Sequence, residues 1–333
     1  MPTTQDYLTA LGPLAALYQD ETVTEFMADA HDKIYVERKG KLEDAGVTFA
    51  SPEAFRAMLD AVMALEGVTL GPGKTTHEGG IPALDYSRLA LAIPPASAHS
   101  PCLTLRKFFK TPMTMEKLFE FNALSREGHT LLQSAIRANK SLMSAGGTGS
   151  GKTTFLNILT ADIPADERVI TIEHRYEFQP QAQRVVRLVA EGTENSYADL
   201  IELAAQMRPD RLIFSELRGG EIARVLDMIG SGYDGSIMTM HATSPQDALD
   251  RMEAMYLMAN LGLGLTEIRR NIAANVNVIA YLERLPNGSR KVMDIVELLG
   301  LEDDRYVIQP LLRYNVETEK FERSGVKPSW EKA

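Results

Sequence analysis

Residues 141–159 read SLMSAGGTGSGKTTFLNIL, and how that stretch must be built decides the fold. An apolar run from Ser141 to Ala145 feeds a glycine-rich turn, and Thr153 to Leu159 continues at helical spacing. Gly146-Gly147-Thr148-Gly149-Ser150-Gly151-Lys152-Thr153 fits G-x-x-x-x-G-K-[ST] at every position, between a strand and a helix as its mechanism requires. Glycines let successive backbone N–H groups point into one concavity, and the helix N-terminus adds its positive end. Lys152 then reaches terminal phosphates and Thr153 supplies a hydroxyl to Mg²⁺.

Downstream, Val169 to Ile172, Val185 to Val189, Leu212 to Phe214 and Ile237 to Met240 are short apolar strands separated by helices. Ser196 with Asp199, and Ser244-Pro245 with Asp247, mark helix starts. This order predicts an α/β unit with helices on both faces of a mainly parallel sheet. Val276 to Leu282 and Lys291 to Val296 flank Pro286-Asn287-Gly288, a hairpin signal.

Upstream, the pattern predicts a smaller α+β domain. Leu8, Leu11, Leu14, Ala15 and Leu17 recur at helical spacing, and Val23 to Met27 is a short apolar stretch. Lys33 to Glu37 alternates like a strand, Gly40 turns, and Val47 to Phe49 is the expected hairpin partner. Ser51 caps a helix running through Leu65, Gly67 to Gly80 reads as loop, and Arg88 to Ile93 and Leu103 to Phe109 read as strands. The expected division is 1–110, a linker over 111–125 that includes a helix-like segment from Met113, and a nucleotide-binding domain over 126–333.

The 333 residues are 44% hydrophobic and 24% charged, ordinary globular values that exclude disordered and fibrous classes. Thirty-five basic against 45 acidic residues give a net charge of −10, so no global field draws the chain to nucleic acid or anionic lipid, and no direct nucleic-acid binding is expected. The single cysteine, Cys102, forms no intrachain disulfide, no apolar stretch approaches the roughly 18 residues of a membrane span, and a cytoplasmic chain is expected.

Phosphate chemistry needs acidic groups at neighbouring strand ends. Glu173 follows Val169 to Ile172, Glu216 follows Leu212 to Ser215, and Thr239 and His241 end the next strand on one face.

These residues resemble the secretion-superfamily ATPases, hexameric motors of type II and type IV secretion and of type IV pili, and most closely the CpaF-like branch of tight-adherence pilus assembly. The resemblance is carried by GGTGSGKTT (146–154), ITIEHRYEF (170–178), MRPDRLIFSELRGGE (207–221) and GYDGSIMTMHATSPQDALDRME (232–253). DETVTEF (20–26), KIYVERKGKLE (33–43), SRLALAIPP (87–95), LTLRKF (103–108) and NGSRKVMDIVEL (287–298) extend it over nearly the whole chain. It implies a RecA-like motor domain binding ATP and Mg²⁺ through residues 146–154, Thr154 included, in a homo-hexamer docked on inner-membrane platform proteins. It assigns Glu173 to the carboxylate that orients the attacking water, Glu216 to the Walker B acid acting on Mg²⁺ through water, and His241 to the γ-phosphate sensor. Arg88 and Arg106 match arginines that approach the nucleotide between domains, and Arg208, Arg211 and Arg218 match arginines flanking Walker B.

The chain departs from the family pattern at three places. His174 stands where an aspartate is usual; protonated beside Glu173, it would lower that carboxylate's basicity. Ser215 replaces a glycine, and Ala190-Glu191-Gly192 occupies a place where relatives tend to carry an arginine. A small-molecule kinase would leave the N-terminal domain without a role, and Asn139-Lys140-Ser141-Leu142 lacks the aspartate of a guanine-reading motif. Conjugation or effector secretion within the same superfamily, and a nucleotide-gated scaffold with little turnover, are the alternative functions.

Overall fold

A computed structural model describes residues 2–38, 40–108, 113–191 and 194–331. The chain forms two compact units, Met1–Thr111 and Pro112–Ala333; Phe109, the Lys110-Thr111-Pro112 step and Gly192 lie outside the described residues.

In the first unit, helices α1 (Thr4–Leu11) and α2 (Ala15–Gln19) precede strands β1 (Val23–Ala30), β2 (Lys33–Arg38) and β3 (Lys41–Asp44). Helix α3 (Pro52–Leu65) follows, then β4 (Thr76–Ile81), β5 (Ser87–Ala92) and β6 (Cys102–Arg106). The antiparallel sheet has the order β3-β2-β1-β6-β5-β4. Ser51 caps α3 by accepting the Ala54 N–H at 3.2 Å, and Phe55, Leu59, Val62 and Met63 bury its inner face.

The apolar stretch Val23 to Met27 begins the central strand β1. Two sequence expectations change here. The partner of β2 is β3, with Arg38 opposite Lys41 across Gly40, and not Val47 to Phe49. All four β3 residues are exposed, so this edge strand lacks the alternation that a buried face imprints on sequence, whereas Phe49 is buried by folding back so that its N–H reaches the His31 carbonyl at 2.7 Å. Part of the expected loop, Thr76 to Gly80, is strand β4, an edge whose glycines carry no hydrophobic signal.

The second unit opens with α4 (Met115–Glu120) and α5 (Arg126–Arg137), then β7 (Leu142–Gly146), α6 (Lys152–Leu159), β8 (Arg168–Glu173) and β9 (Arg184–Val189). Next come α7 (Tyr197–Gln206), β10 (Arg211–Glu216), α8 (Glu221–Gly230), β11 (Ile237–His241), α9 (Pro245–Met258) and α10 (Leu265–Asn275). Strands β12 (Val278–Arg284), β13 (Arg290–Glu302), β14 (Arg305–Asn315) and β15 (Lys320–Arg323) complete it. The sheet order is β15-β14-β13-β12-β7-β11-β10-β8-β9, parallel from β12 through β9 and antiparallel from β12 through β15. Alternate residues serve opposite faces: Met143 and Ala145 pack with α7 to α10, while Leu142 packs with α5 and α6. Residues 113–125 pack with this unit, since Leu124 is buried in its core and Lys291 Nζ donates to the Phe121 and Asn122 carbonyls at 3.1 and 2.7 Å.

Candidate functional site: the phosphate loop and its strand ends

β7 is buried along its length and delivers its C-terminal end to the loop Gly147–Gly151. Gly151 caps α6 at φ 96° and Gly149 adopts φ 73°, left-handed conformations that glycine reaches without steric cost. At Gly146 a Cβ would lie 2.3 Å from the Leu282 carbonyl, so close strand packing requires glycine there as well. Lys152 folds back over the loop, its Nζ donating to the Gly146 and Gly147 carbonyls at 2.9 and 3.0 Å. The Ser150 hydroxyl is buried in the loop without a hydrogen-bond partner among the described residues, close against Gly146.

Parallel pairing aligns the neighbouring strand ends. His241 sits opposite Gly146 and Glu216 pairs with Thr239. Lys152 Nζ approaches His241 Nδ1 at 3.4 Å, His241 Nε2 meets Glu216 Oε1 at 2.8 Å, and Arg218 donates to Glu216 Oε2 at 2.9 and 2.6 Å. An ammonium only donates and a carboxylate only accepts, which fixes neutral His241 with its proton on Nε2. Burial and the Lys152 charge hold His241 below the ordinary histidine range. Burial also lowers Lys152, while the fields of Glu216 and Glu177 oppose that shift. Thr239 is structural: its hydroxyl donates to the Ser215 carbonyl at 2.9 Å.

Glu173 is not placed as the sequence suggests. Its side chain is fully buried, and its two oxygens take five donors: Thr171 Oγ1 at 2.7 Å, the N–H groups of Glu177 and Phe178 at 2.9 Å, and Arg187 at 2.9 and 2.8 Å. A carboxylate so enclosed has no face left for water, which corrects the expectation that it orients the nucleophile. It anchors the turn that carries Glu177, and Glu177 is half-buried and electrostatically coupled to Lys152. Sequence reading missed Glu177, although it lies in the quoted segment ITIEHRYEF, because both strand-end position and the family resemblance were read onto Glu173. It also missed Arg187: this arginine lies within β9 and reaches across to β8, whereas arginine was sought after the strand.

Two departures from the family pattern touch each other, since the His174 N–H donates to Ser215 Oγ at 3.2 Å, an acceptor that glycine would lack. The His174 ring is neither a solvent-facing group nor a cation beside Glu173. It stacks on Tyr197 with centroids 3.9 Å apart, and its Nε2 is buried without a hydrogen-bond partner among the described residues, 3.9 Å from Glu221. Burial, then the Arg218 charge, push it below its ordinary value of 6.5, against opposing fields from Glu221 and Glu216. A histidine with a lowered folded value binds fewer protons than the unfolded chain, so its stability contribution is intact above the unfolded value and is lost as pH falls below it. His174→Gln is therefore expected to lose less melting temperature than the parent between about pH 7 and 5.5, His241, also lowered, contributing a slope common to both proteins. Equal losses in both proteins would show that His174 titrates in the fold as it does in the unfolded chain.

The remaining arginines separate by place. Arg218 reaches the phosphate site through Glu216. Arg208 and Arg211 stand at the opposite, N-terminal end of β10, so neither serves this chain's own loop as a flanking residue. Arg208 is exposed at φ 54°, whereas Arg211 is buried and bound to Glu167, Asn139 and the Ile136 and Gly235 carbonyls. In the first unit, Arg88 and Arg106 are exposed and directly opposite on β5 and β6, with Arg88 paired to Glu78 at 2.5 Å.

A parallel sheet covered on both faces, with a phosphate loop at its centre and acids on the adjacent strand ends, defines a P-loop nucleoside triphosphatase. The chain belongs to the type II/IV secretion system protein family, whose pattern matches residues 8–293. It is 27% identical over 335 aligned residues to a putative conjugal transfer protein of Mycobacterium tuberculosis, covering 93% of this chain and 95% of that one. It is 35% identical over 175 residues to the type IV secretion system protein PtlH of Bordetella pertussis, covering 49% and 52%. Among solved structures, the pilus retraction motor PilT with bound ADP shares the fold at TM-score 0.64 and 16% identity, covering 87% of this chain and 83% of that one. The Legionella pneumophila ATPase DotB gives 0.61 and 16%, covering 92% and 81%.

Proposed function

We propose that this protein is a Mg²⁺-dependent ATPase that works as a hexameric ring and powers a secretion or pilus machine from the cytoplasmic face of the inner membrane, docked on platform proteins. The observation that carries this reading is the continuous chain Lys152–His241–Glu216–Arg218 at one end of the phosphate loop, with Glu177 coupled to the same lysine. The Thr153 hydroxyl and the Glu216 carboxylate are hard oxygen donors suited to Mg²⁺, which when bound would neutralise charge on the phosphates. Lys152 exchanges the Gly146 and Gly147 carbonyls for phosphate oxygens, residues 146–154 cradle the chain, and Glu177 orients water and accepts its proton. His241 shifts its hydrogen bonds between Glu216 and the terminal phosphate. Among the described residues no helix is long and apolar enough to cross a membrane, so attachment would be peripheral.

Tight-adherence pilus assembly of the CpaF-like kind is the first reading of the machine, from the sequence segments quoted above. Similarity over 93% of the chain to a protein named for conjugal transfer favours conjugation as the second. A pull-down from cells separates them by recovering a pilus platform protein or a conjugation channel.

Arg88 and Arg106 are proposed to act on the nucleotide of a neighbouring subunit in the ring, where a guanidinium stabilises transition-state charge. Arg106→Ala is expected to cut ATP turnover at least tenfold, about the effect of losing 1.4 kcal/mol of transition-state stabilisation, while sedimentation with a non-hydrolysable nucleotide still shows the ring. Full activity of a dilute monomer would overturn the ring requirement.

A further inference from the structure

β12 lies parallel to β7 with Leu282 opposite Gly146, so the chain beyond Leu282 runs on beside the phosphate loop. The hairpin that follows is closed by two arginines, Arg284 and Arg290, directly opposite each other and both exposed. Like charges at opposed strand positions repel and cost stability. The turn itself does not call for them: the Leu285 N–H donates to the Ser289 carbonyl at 2.8 Å, the Gly288 N–H to the Leu285 carbonyl at 2.8 Å, and the Ser289 N–H to Asn287 Oδ1 at 2.9 Å.

Both guanidinium groups are directed at the loop. Arg290 Nε donates to the Gly149 carbonyl at 2.8 Å. A Cβ on Gly151 would lie 3.3 Å from Arg290 Cδ, and one on Gly149 would lie 3.9 Å from Arg284 Nη1. Two guanidinium groups thus stand beside the loop's backbone N–H groups, where a single anion would meet both.

Sheet order tells which part of the anion they meet. β11 and β10, with His241 and Glu216, lie on one side of β7, and β12 lies on the other. If Lys152, His241 and Glu216 mark the terminal phosphate, a phosphate chain gripped at its middle by the loop directs its nucleoside end toward β12. We propose that Arg284 and Arg290 bind the α-phosphate of the nucleotide from this side, in the same subunit, as a forked pair that ADP and ATP engage alike. The inference rests on the loop being a nucleotide site. Contacts common to ADP, ATP and the transition state change affinity without changing the chemical step.

The test is calorimetric titration of Mg-ADP into the full-length protein and into Arg284→Ala, Arg290→Ala, the double alanine variant and the double lysine variant, with melting temperatures measured in parallel. About tenfold weaker Mg-ADP binding is expected for each single alanine variant, more for the double, because a charge-assisted hydrogen bond is of that order. KM for ATP should rise by the same factor with kcat at saturation unchanged. The double lysine variant keeps both charges but loses the fork, so it should bind between the parent and the double alanine variant; should the double alanine variant not fold, the lysine variant decides. Mg-ADP affinity equal to the parent in a folded double variant overturns the inference, and so does a fall in kcat with ADP affinity unchanged, which would place the pair at the terminal phosphate. A parent protein that binds no Mg-ADP overturns the nucleotide site itself, and the inference with it.

Discussion

Glu177→Gln is expected to bind Mg-ATP as tightly as the parent and to hydrolyse it about 10²-fold or more slowly, the scale of losing one general base. Glutamine keeps the size and one acceptor but removes the charge and the proton affinity. Glu173→Gln should behave differently, because its target is the fold. That carboxylate is fully buried against Arg187 and accepts the N–H groups of Glu177 and Phe178. Removing one partner of a buried ion pair leaves the other charge uncompensated, typically at a cost of about 3–5 kcal/mol. A large fall in melting temperature is expected, with any loss of activity following from a displaced Glu177. Single-turnover hydrolysis and thermal melting on both variants separate the roles. A Glu177→Gln rate near the parent's, or a Glu173→Gln protein of unchanged stability, would reverse the assignment.

Lys152→Ala should weaken Mg-ATP binding by about 10²-fold or more, since the lysine provides the mobile cation within the loop and its removal leaves Glu216 and Glu177 facing the triphosphate. A second effect is specific to this structure. Lys152 Nζ ties the Gly146 and Gly147 carbonyls together, so the alanine variant also loses an internal brace of the loop. Lys152→Arg retains the charge with a different shape and should recover part of the loop's melting stability without restoring normal turnover. Calorimetric titration with Mg-ATP checks the first effect and melting curves the second. Unchanged affinity in Lys152→Ala would remove the phosphate site from the reading.

The elements written most plainly in the sequence are those whose signal is local. Glycine, lysine and threonine at fixed offsets between an apolar run and a helix specify the phosphate loop within a dozen residues, because backbone conformation and the ligating groups belong to the same turn. Ser51, Ser196 and Ser244 each stand immediately before their helices, since a capping hydroxyl accepts the N–H three residues on, within the first turn. The succession of strands and helices from Ser141 to Met240 determines a parallel sheet, because such connections have few ways to close. The helix expected between Val169–Ile172 and Val185–Val189 is absent among the described residues, and β8 passes to the parallel β9 through an irregular segment tied down by the Glu173 carboxylate.

Tertiary structure decided what depends on distant neighbours. Glu173 and Glu177 are four residues apart in one segment, and Arg187 on the adjacent strand, together with the turn that brings the Glu177 and Phe178 N–H groups back, encloses Glu173. Arg208 and Arg211 sit close to Glu216 in sequence, yet a strand of extended chain carries them to the other end of the sheet. Exposed edge strands such as β3 leave little hydrophobic imprint, because solvent on both faces imposes no alternation. The Arg284–Arg290 pair meets the loop only because β12 inserts next to β7, a pairing between residues more than 130 positions apart. Sequence supplied the chemistry of each group; the sheet order supplied its partners.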